Sequence, residues 1–121
     1  VGHLYHDEYA GSGSVKLPAS LSPDWIEGVL RGQLKFGGVV ISDDLEMGAI
    51  RKQFDLHDPV VRAVNAGIDV LLFSNTAAYS PGMPDKVRGI LVAEANADPA
   101  FKAKIEASYA RIVAMKARIG K

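Results

Sequence analysis

The stretch Phe36-Gly37-Gly38-Val39-Val40-Ile41-Ser42-Asp43-Asp44-Leu45-Glu46-Met47 decides the fold. Two glycines interrupt what precedes, three β-branched residues follow without alternation, and two carboxylates stand where the apolar run stops. A short run of this kind, with no polar face, suits a strand covered on both sides in a parallel sheet. The pattern predicts a strand over Val39-Val40-Ile41, with Ser42, Asp43 and Asp44 at its C-terminal edge. In parallel α/β folds that edge is where working residues gather.

Helix signals flank the strand on both sides. Ser22-Pro23-Asp24 reads as a helix start: Ser accepts from free backbone N–H groups, Pro fits the first helical position, and Asp suits the positive helix end. Ile26, Val29, Leu30 and Leu34 recur at helical spacing and predict one buried stripe that ends near Gly37-Gly38. Asp58-Pro59 repeats the start signal, Val60, Val61 and Val64 follow, and Gly67 supplies the stop. Asp69-Val70-Leu71-Leu72-Phe73 predicts a second strand, and Ser80 to Pro84 a loop. Val87, Ile90 and Leu91 mark another helix. Asp98-Pro99 opens the last one, with Phe101, Ile105, Ile112 and Ile119 on its inner side and Tyr109 as a further core or covering position. Val1 to Tyr5 is a short apolar stretch. Asp7 to Ser14, with Gly11, Ser12, Gly13 and Ser14, reads as a loop, either plain surface or a cover over an active site. The two strands begin about thirty residues apart with helices between them, the rhythm of βα units on a parallel sheet. The fold class is α/β.

At 121 residues the chain is one domain or part of one. Its 14 basic and 14 acidic residues leave no net charge, which argues against a nucleic-acid binder and against a polybasic membrane anchor. Without cysteine there are no disulfides, no Cys-ligated zinc and no thiolate catalysis, while the compartment stays open. No apolar stretch reaches the ~18–20 residues of a membrane span, and no signal peptide is visible. A start at Val1 instead of Met fits a processed chain or an excised piece.

Adjacent carboxylates at a strand end admit three readings. One of them caps the following turn, or the pair holds magnesium, or one is a catalytic nucleophile or base. Neighbours in a strand point to opposite sides, so one of the two faces the mouth. Ser74 and Asn75 end the second strand, and His3 and His6 lie in or just after the opening stretch; if the units close into one barrel, all share that mouth.

Longer motifs narrow the choice. Leu17-Pro18-Ala19-Ser20-Leu21-Ser22, then Leu30-Arg31-Gly32-Gln33-Leu34, then Gly38 through Ile50 resemble, in that order, family 3 glycoside hydrolases of the β-N-acetylhexosaminidase type. Ala63-Val64-Asn65-Ala66-Gly67-Ile68-Asp69-Val70-Leu71-Leu72 is similar to that family's last barrel strand and the helix before it, and Ser108-Tyr109-Ala110-Arg111-Ile112 to its terminal helix. The resemblance implies that residues 1–121 are a partial catalytic domain, about the last three βα units of a (β/α)8 barrel. It implies that Asp43 is the nucleophile, forming a covalent glycosyl-enzyme that water releases with retention. It gives Asp44 a capping or hydrogen-bonding duty. Met47 becomes a candidate sugar contact, the alternative being a packed core Met. His3, near the end of the preceding strand, becomes a candidate substrate contact, the alternative being an ordinary polar-edge histidine. The substrate class is a carbohydrate with terminal β-linked N-acetylglucosamine, from bacterial cell-wall turnover. The resemblance implies no metal or organic cofactor, and the bacterial cytoplasm is slightly favoured over export.

The chain also departs from the family pattern. A retaining glycosidase needs a second, acid/base group, and the family's Lys-His…Pro-Gly-His-Gly…Asp-Ser-His stretch that supplies it is absent, as are the upstream sugar-holding residues. A full barrel takes ~250 residues. The expected partner is therefore the upstream half of the barrel or a second copy, and the chain alone is expected to be inactive. Two rivals stand beside this reading: a small receiver-like signalling domain binding magnesium at the Asp pair, and a non-catalytic assembly module that kept the motif.

Overall fold

The computed structural model describes residues 1–6, 17–52, 54–76 and 79–119. The loop expected over Asp7 to Ser14 lies outside the described residues. In chain order the elements are a 3-10 turn Ala19–Leu21, helix α1 Asp24–Gln33, strand β1 Ile41–Asp44, helix α2 Gly48–Arg51, helix α3 His57–Ala66, strand β2 Val70–Leu72, helix α4 Met83–Ala97 and helix α5 Pro99–Ile119. The two strands pair in parallel, with α3 as the crossover between them. The α/β class and the parallel sheet stand as the sequence predicts.

β1 begins later than the apolar pattern suggests and carries the Ser-Asp-Asp run inside the strand. Ile41 pairs with Val70 and Asp44 with Leu72, so β1 holds one residue more than β2 between the same two pairs. That extra residue is a bulge, a device that bends a strand and re-aims its side chains. Ser42, 4% exposed, fills the gap: its hydroxyl accepts the Leu72 N–H at 2.9 Å in place of a backbone carbonyl. On the other side of β1, the Val1 amine donates to the Ile41 carbonyl at 2.7 Å and the Val1 carbonyl accepts the Asp43 N–H at 2.8 Å. β1 is thus flanked by the opening stretch and by β2.

The expectation that β1 is covered on both faces is not met in this chain. Val40 is 2% exposed, but Ile41 is 48% exposed and Leu72 46%. One face packs under the helices; among the described residues nothing lies on the other. The core under the covered face gathers Leu21, Ile26, Val40, Leu45, Ile50 and Ile68 with two alanines of α3. That helix touches the 3-10 turn, α1, α4 and α5, so it is the centre of the packing. Ala63 and Ala66, both fully buried, let these neighbours approach closely.

Several local expectations change for identifiable reasons. α1 is wound as a π-helix, and its Val29 carbonyl is reached by the N–H of Leu34, five residues on. The wider turn breaks the 3.6-residue stripe, so Ile26 is buried while Leu34 is 69% exposed. At the start of α1 the Ser22 backbone carbonyl accepts from the Ile26 N–H at 3.2 Å. α3 begins at His57, and the Asp58 N–H is received by the Asp55 side chain at 3.2 Å, so Asp55 supplies the cap expected of Asp58. Gly67 ends α3 at φ 99, the left-handed stop read from the sequence. α2 stands where no helix was expected. α4 starts at Met83, which turns the last two residues of the expected loop into its first turn. Asp98 caps α5 by accepting the Ala100 N–H at 2.8 Å. On α5, Phe101 is buried, but Tyr109 and Ile119 are 69% and 74% exposed, against the expectation of core positions. The far half of α5 runs past the elements that cover its first turns. No helix among the described residues is long and apolar enough to cross a membrane.

Candidate functional site

The C-terminal ends of β1 and β2 lie side by side and bring together Asp43, Asp44, Ser74 and Asn75, as the alternation of βα units requires. The neighbouring aspartates have different surroundings. Asp44 Oδ1 accepts the Glu46 N–H and the Ser74 N–H, each at 3.0 Å. Partial burial pushes its carboxyl up, but the Ser74 hydroxyl and N–H, the Glu46 N–H and the charge of His3 outweigh that and hold it below the ordinary carboxylate range. Asp44 is thus a stably ionised acceptor that ties the turn after β1 to the end of β2.

Asp43 is less engaged. Its Oδ1 accepts the N–H of Asp44 at 2.9 Å, and among the described residues Oδ2 receives no hydrogen bond. The opening stretch runs beside it: a Cβ placed on Gly2 would lie 3.8 Å from Oδ2. A half-buried carboxylate at a strand end, fixed by one oxygen with the other unclaimed, can attack an electrophile or take a proton.

His3 links three parts of this region. Its Nε2–H donates to the Asp44 carbonyl at 2.8 Å, and Nδ1 shares a hydrogen bond with the Ser20 hydroxyl at 2.5 Å. Both ring nitrogens are therefore occupied within the chain, and the ring holds the opening stretch against the end of β1. Met47 is 45% exposed beyond the strand. His6 stands edge-on to Trp25, their ring centroids 6.3 Å apart. Among the described residues no group of three or more His, Asp or Glu side chains is gathered to hold a metal ion.

Sequence reasoning missed one residue of consequence, at the opposite end of the sheet. Asp69, read as the first residue of an apolar strand, has a fully buried side chain. Its Oδ2 accepts from Arg31 and from the Val40 N–H, both at 2.8 Å; its Oδ1 accepts from the Ser108 hydroxyl at 2.7 Å and from Arg111 Nε at 2.9 Å. One carboxylate joins α1, the residue before β1, and α5. Burial pushes it up, but Arg111, the Val40 N–H and Ser108 together hold it below the ordinary range. A lone acid heading an apolar run, in a chain with arginines at 31 and 111, was the available signal.

Comparison with known proteins follows the same lines. The curated β-hexosaminidase of Idiomarina loihiensis is 38% identical over 61 residues, which are 50% of this chain and 18% of that protein. The crystal structure of a β-N-acetylhexosaminidase from Beutenbergia cavernae superposes with a TM-score of 0.74 at 33% identity, over 84% of this chain and 29% of that one. A family 3 β-N-acetylglucosaminidase from a Paenibacillus species gives 0.68 at 39% identity, over 85% of this chain and 19% of its own. The chain thus spans under a third of each of these relatives. The profile described as "Glycosyl hydrolase family 3 N terminal domain" matches residues 1–115, and the chain belongs to that family.

Proposed function

We propose that this chain is part of a retaining glycoside hydrolase that removes terminal β-linked N-acetylglucosamine, with Asp43 as the nucleophile. The observation that carries the reading is the contrast between the paired aspartates. Asp44 Oδ1 takes two backbone N–H groups, one of them from Ser74 beyond β2, whereas Asp43, at the C-terminal end of β1, is held only by the N–H of its own neighbour Asp44. That oxygen would attack the anomeric carbon, the bond to the leaving oxygen would break as the acid/base protonates it, and water would later release the sugar with retention. Met47, exposed just past the strand, is the side chain of this chain best placed to touch the sugar. His3 contributes by holding the opening stretch in place, since both of its ring nitrogens are already used.

We further propose that residues 1–121 are about the last three βα units of a (β/α)8 barrel, the catalytic domain being incomplete here. Leu72 turns its N–H and carbonyl to β1, so by strand alternation Leu71 presents its own to the open edge. A groove of about 430 Å³, lined by Leu71, Leu72, Phe73, Asn75, Met83, Pro84 and Val87, runs along that edge. Together with the exposed Ile41 and Leu72, these groups need a covering partner. The upstream part of the barrel supplies it, along with the acid/base group. The receiver reading loses its basis with the family assignment.

The test compares three samples on an aryl N-acetyl-β-glucosaminide. Turnover is expected when the chain is combined with the upstream segment, is lost on Asp43→Asn, and is absent from the chain alone. Full turnover by the Asp43→Asn assembly would remove Asp43 from the role.

A further inference from the structure

Beyond the nucleophile, the turn after β1 carries a third acid, Glu46, whose carboxylate the catalytic reading does not use. It receives a backbone N–H from the neighbouring unit: Asn75 donates to Glu46 Oε2. The preceding N–H, that of Ser74, goes to Asp44. Two successive amides at the end of β2 are thus taken by two acids standing two residues apart on the turn beside Asp43.

Asn75 is also one of two described non-glycine residues with positive φ, at 51°. Asn tolerates the left-handed region better than most residues but gives up conformational freedom to stay there. Its side chain is tied as tightly as its backbone. Nδ2 donates to the Ser80 carbonyl at 2.8 Å, and Oδ1 accepts the Ser80 N–H at 2.9 Å. The Ser80 carbonyl also accepts from Met83, the first residue of α4. A continuous chain of bonds therefore runs from Glu46, through Asn75 and Ser80, to the start of α4.

From this geometry we propose that Glu46 is a positioning residue for the glycosidase site. Through Asn75 it locks the connection after β2 to the turn after β1, so that Asp43 and the residues beyond β2 present one rigid wall to the sugar. The proposal rests on Asp43 being the nucleophile. Glu46 need not touch the substrate, and its task requires an oxygen acceptor, not a charge. Glutamine keeps that acceptor and alanine removes it.

The experiment uses the assembled enzyme. Glu46→Ala should lower kcat on the order of 10²-fold, the usual cost of a small misplacement at a reacting centre, with KM nearly unchanged. Glu46→Gln should restore kcat to within about threefold of the unmodified enzyme, as an uncharged acceptor in the same place. Amide exchange at Asn75 in the unmodified protein supplies a readout that does not depend on a variant folding, and it should be strongly slowed. Equal kcat for all three proteins would overturn the proposal, as would equal loss in Ala and Gln variants or unprotected exchange at Asn75. Asp43→Asn serves as the control. If turnover survives it, the nucleophile reading fails and this proposal with it; if turnover is lost while Glu46→Ala stays fully active, only the positioning role fails.

Discussion

Replacing Asp69 by alanine should be the most destabilising single change to this chain. Its side chain is fully buried, and the two guanidinium groups it pairs with are 13% exposed for Arg31 and 26% for Arg111. Alanine strands both charges, the Val40 N–H and the Ser108 hydroxyl at once. Breaking a buried ion pair from one side costs ~3–5 kcal/mol. Arg111 reaches some water and recovers part of its share, while Arg31 also binds the carbonyls of Gly38 and Gly67 and stays where it is. About 4 kcal/mol is therefore expected, a third or more of the stability of an ordinary domain. Urea unfolding of the assembled protein, with and without the substitution, measures it. The pH dependence checks the cause. Because the folded carboxyl is held below its ordinary value, its stabilisation is complete above the unfolded pKa of about 3.9 and disappears as pH falls below that through the folded value. Asp69→Asn should cost somewhat less at neutral pH and should flatten the acid limb of the stability curve. A loss under about 1 kcal/mol, the worth of an exposed pair, or an acid limb unchanged in the Asn variant, would refute the reasoning.

Two further substitutions probe the backbone. Gly67→Ala places a Cβ against Glu27 Oε1 on a residue with φ 99. Glu27 is flexible and can swing away, but the Cβ also lies 3.1 Å from Cγ2 of the buried Ile26, which adds to the left-handed strain of about 1–2 kcal/mol, so thermal unfolding should show at least that loss even in a Glu27→Ala background. Ser42→Ala removes the acceptor of the Leu72 N–H in a buried place and should cost about 1–3 kcal/mol, whereas Ser42→Thr keeps the hydroxyl and should retain most of the stability. Faster amide exchange at Leu72 in the alanine variant would locate the damage.

What the sequence disclosed depended on how local the determining physics was. The presence of a strand at Ile41, though not its extent to Asp44, and the glycine stop at Gly67 follow from side-chain shape and backbone freedom within a few residues. The bulge in β1 does not, because it depends on a Ser42 hydroxyl meeting an amide thirty residues away. The π-winding of α1 is equally hidden: Ile26 and Leu34 have α-helical spacing, yet the added residue per turn carries Leu34 out of the core. Tyr109 and Ile119 read as buried from their chemistry alone. Their exposure depends on which neighbours α5 meets, and pattern along a single chain does not specify that. Asp69 was invisible for a related reason, since its meaning lies in Arg31 and Arg111, each about forty residues away.

The acids of this fold are sorted by which end of the sheet they occupy. At the N-terminal end Asp69 has every lone-pair direction filled and two cations against it, so the site is closed to ligands and serves only cohesion. At the C-terminal end three acids follow one another closely, and two of them, Asp44 and Glu46, each accept one backbone amide of the adjacent unit. Amide donors satisfy a carboxylate without bringing a mobile positive charge beside Asp43. A lysine or arginine in their place would also tie the two loops, but it would compete for the free oxygen of Asp43. Fixing the turn with N–H groups therefore gives rigidity around Asp43 while leaving that oxygen open, which is what the proposed nucleophile role requires.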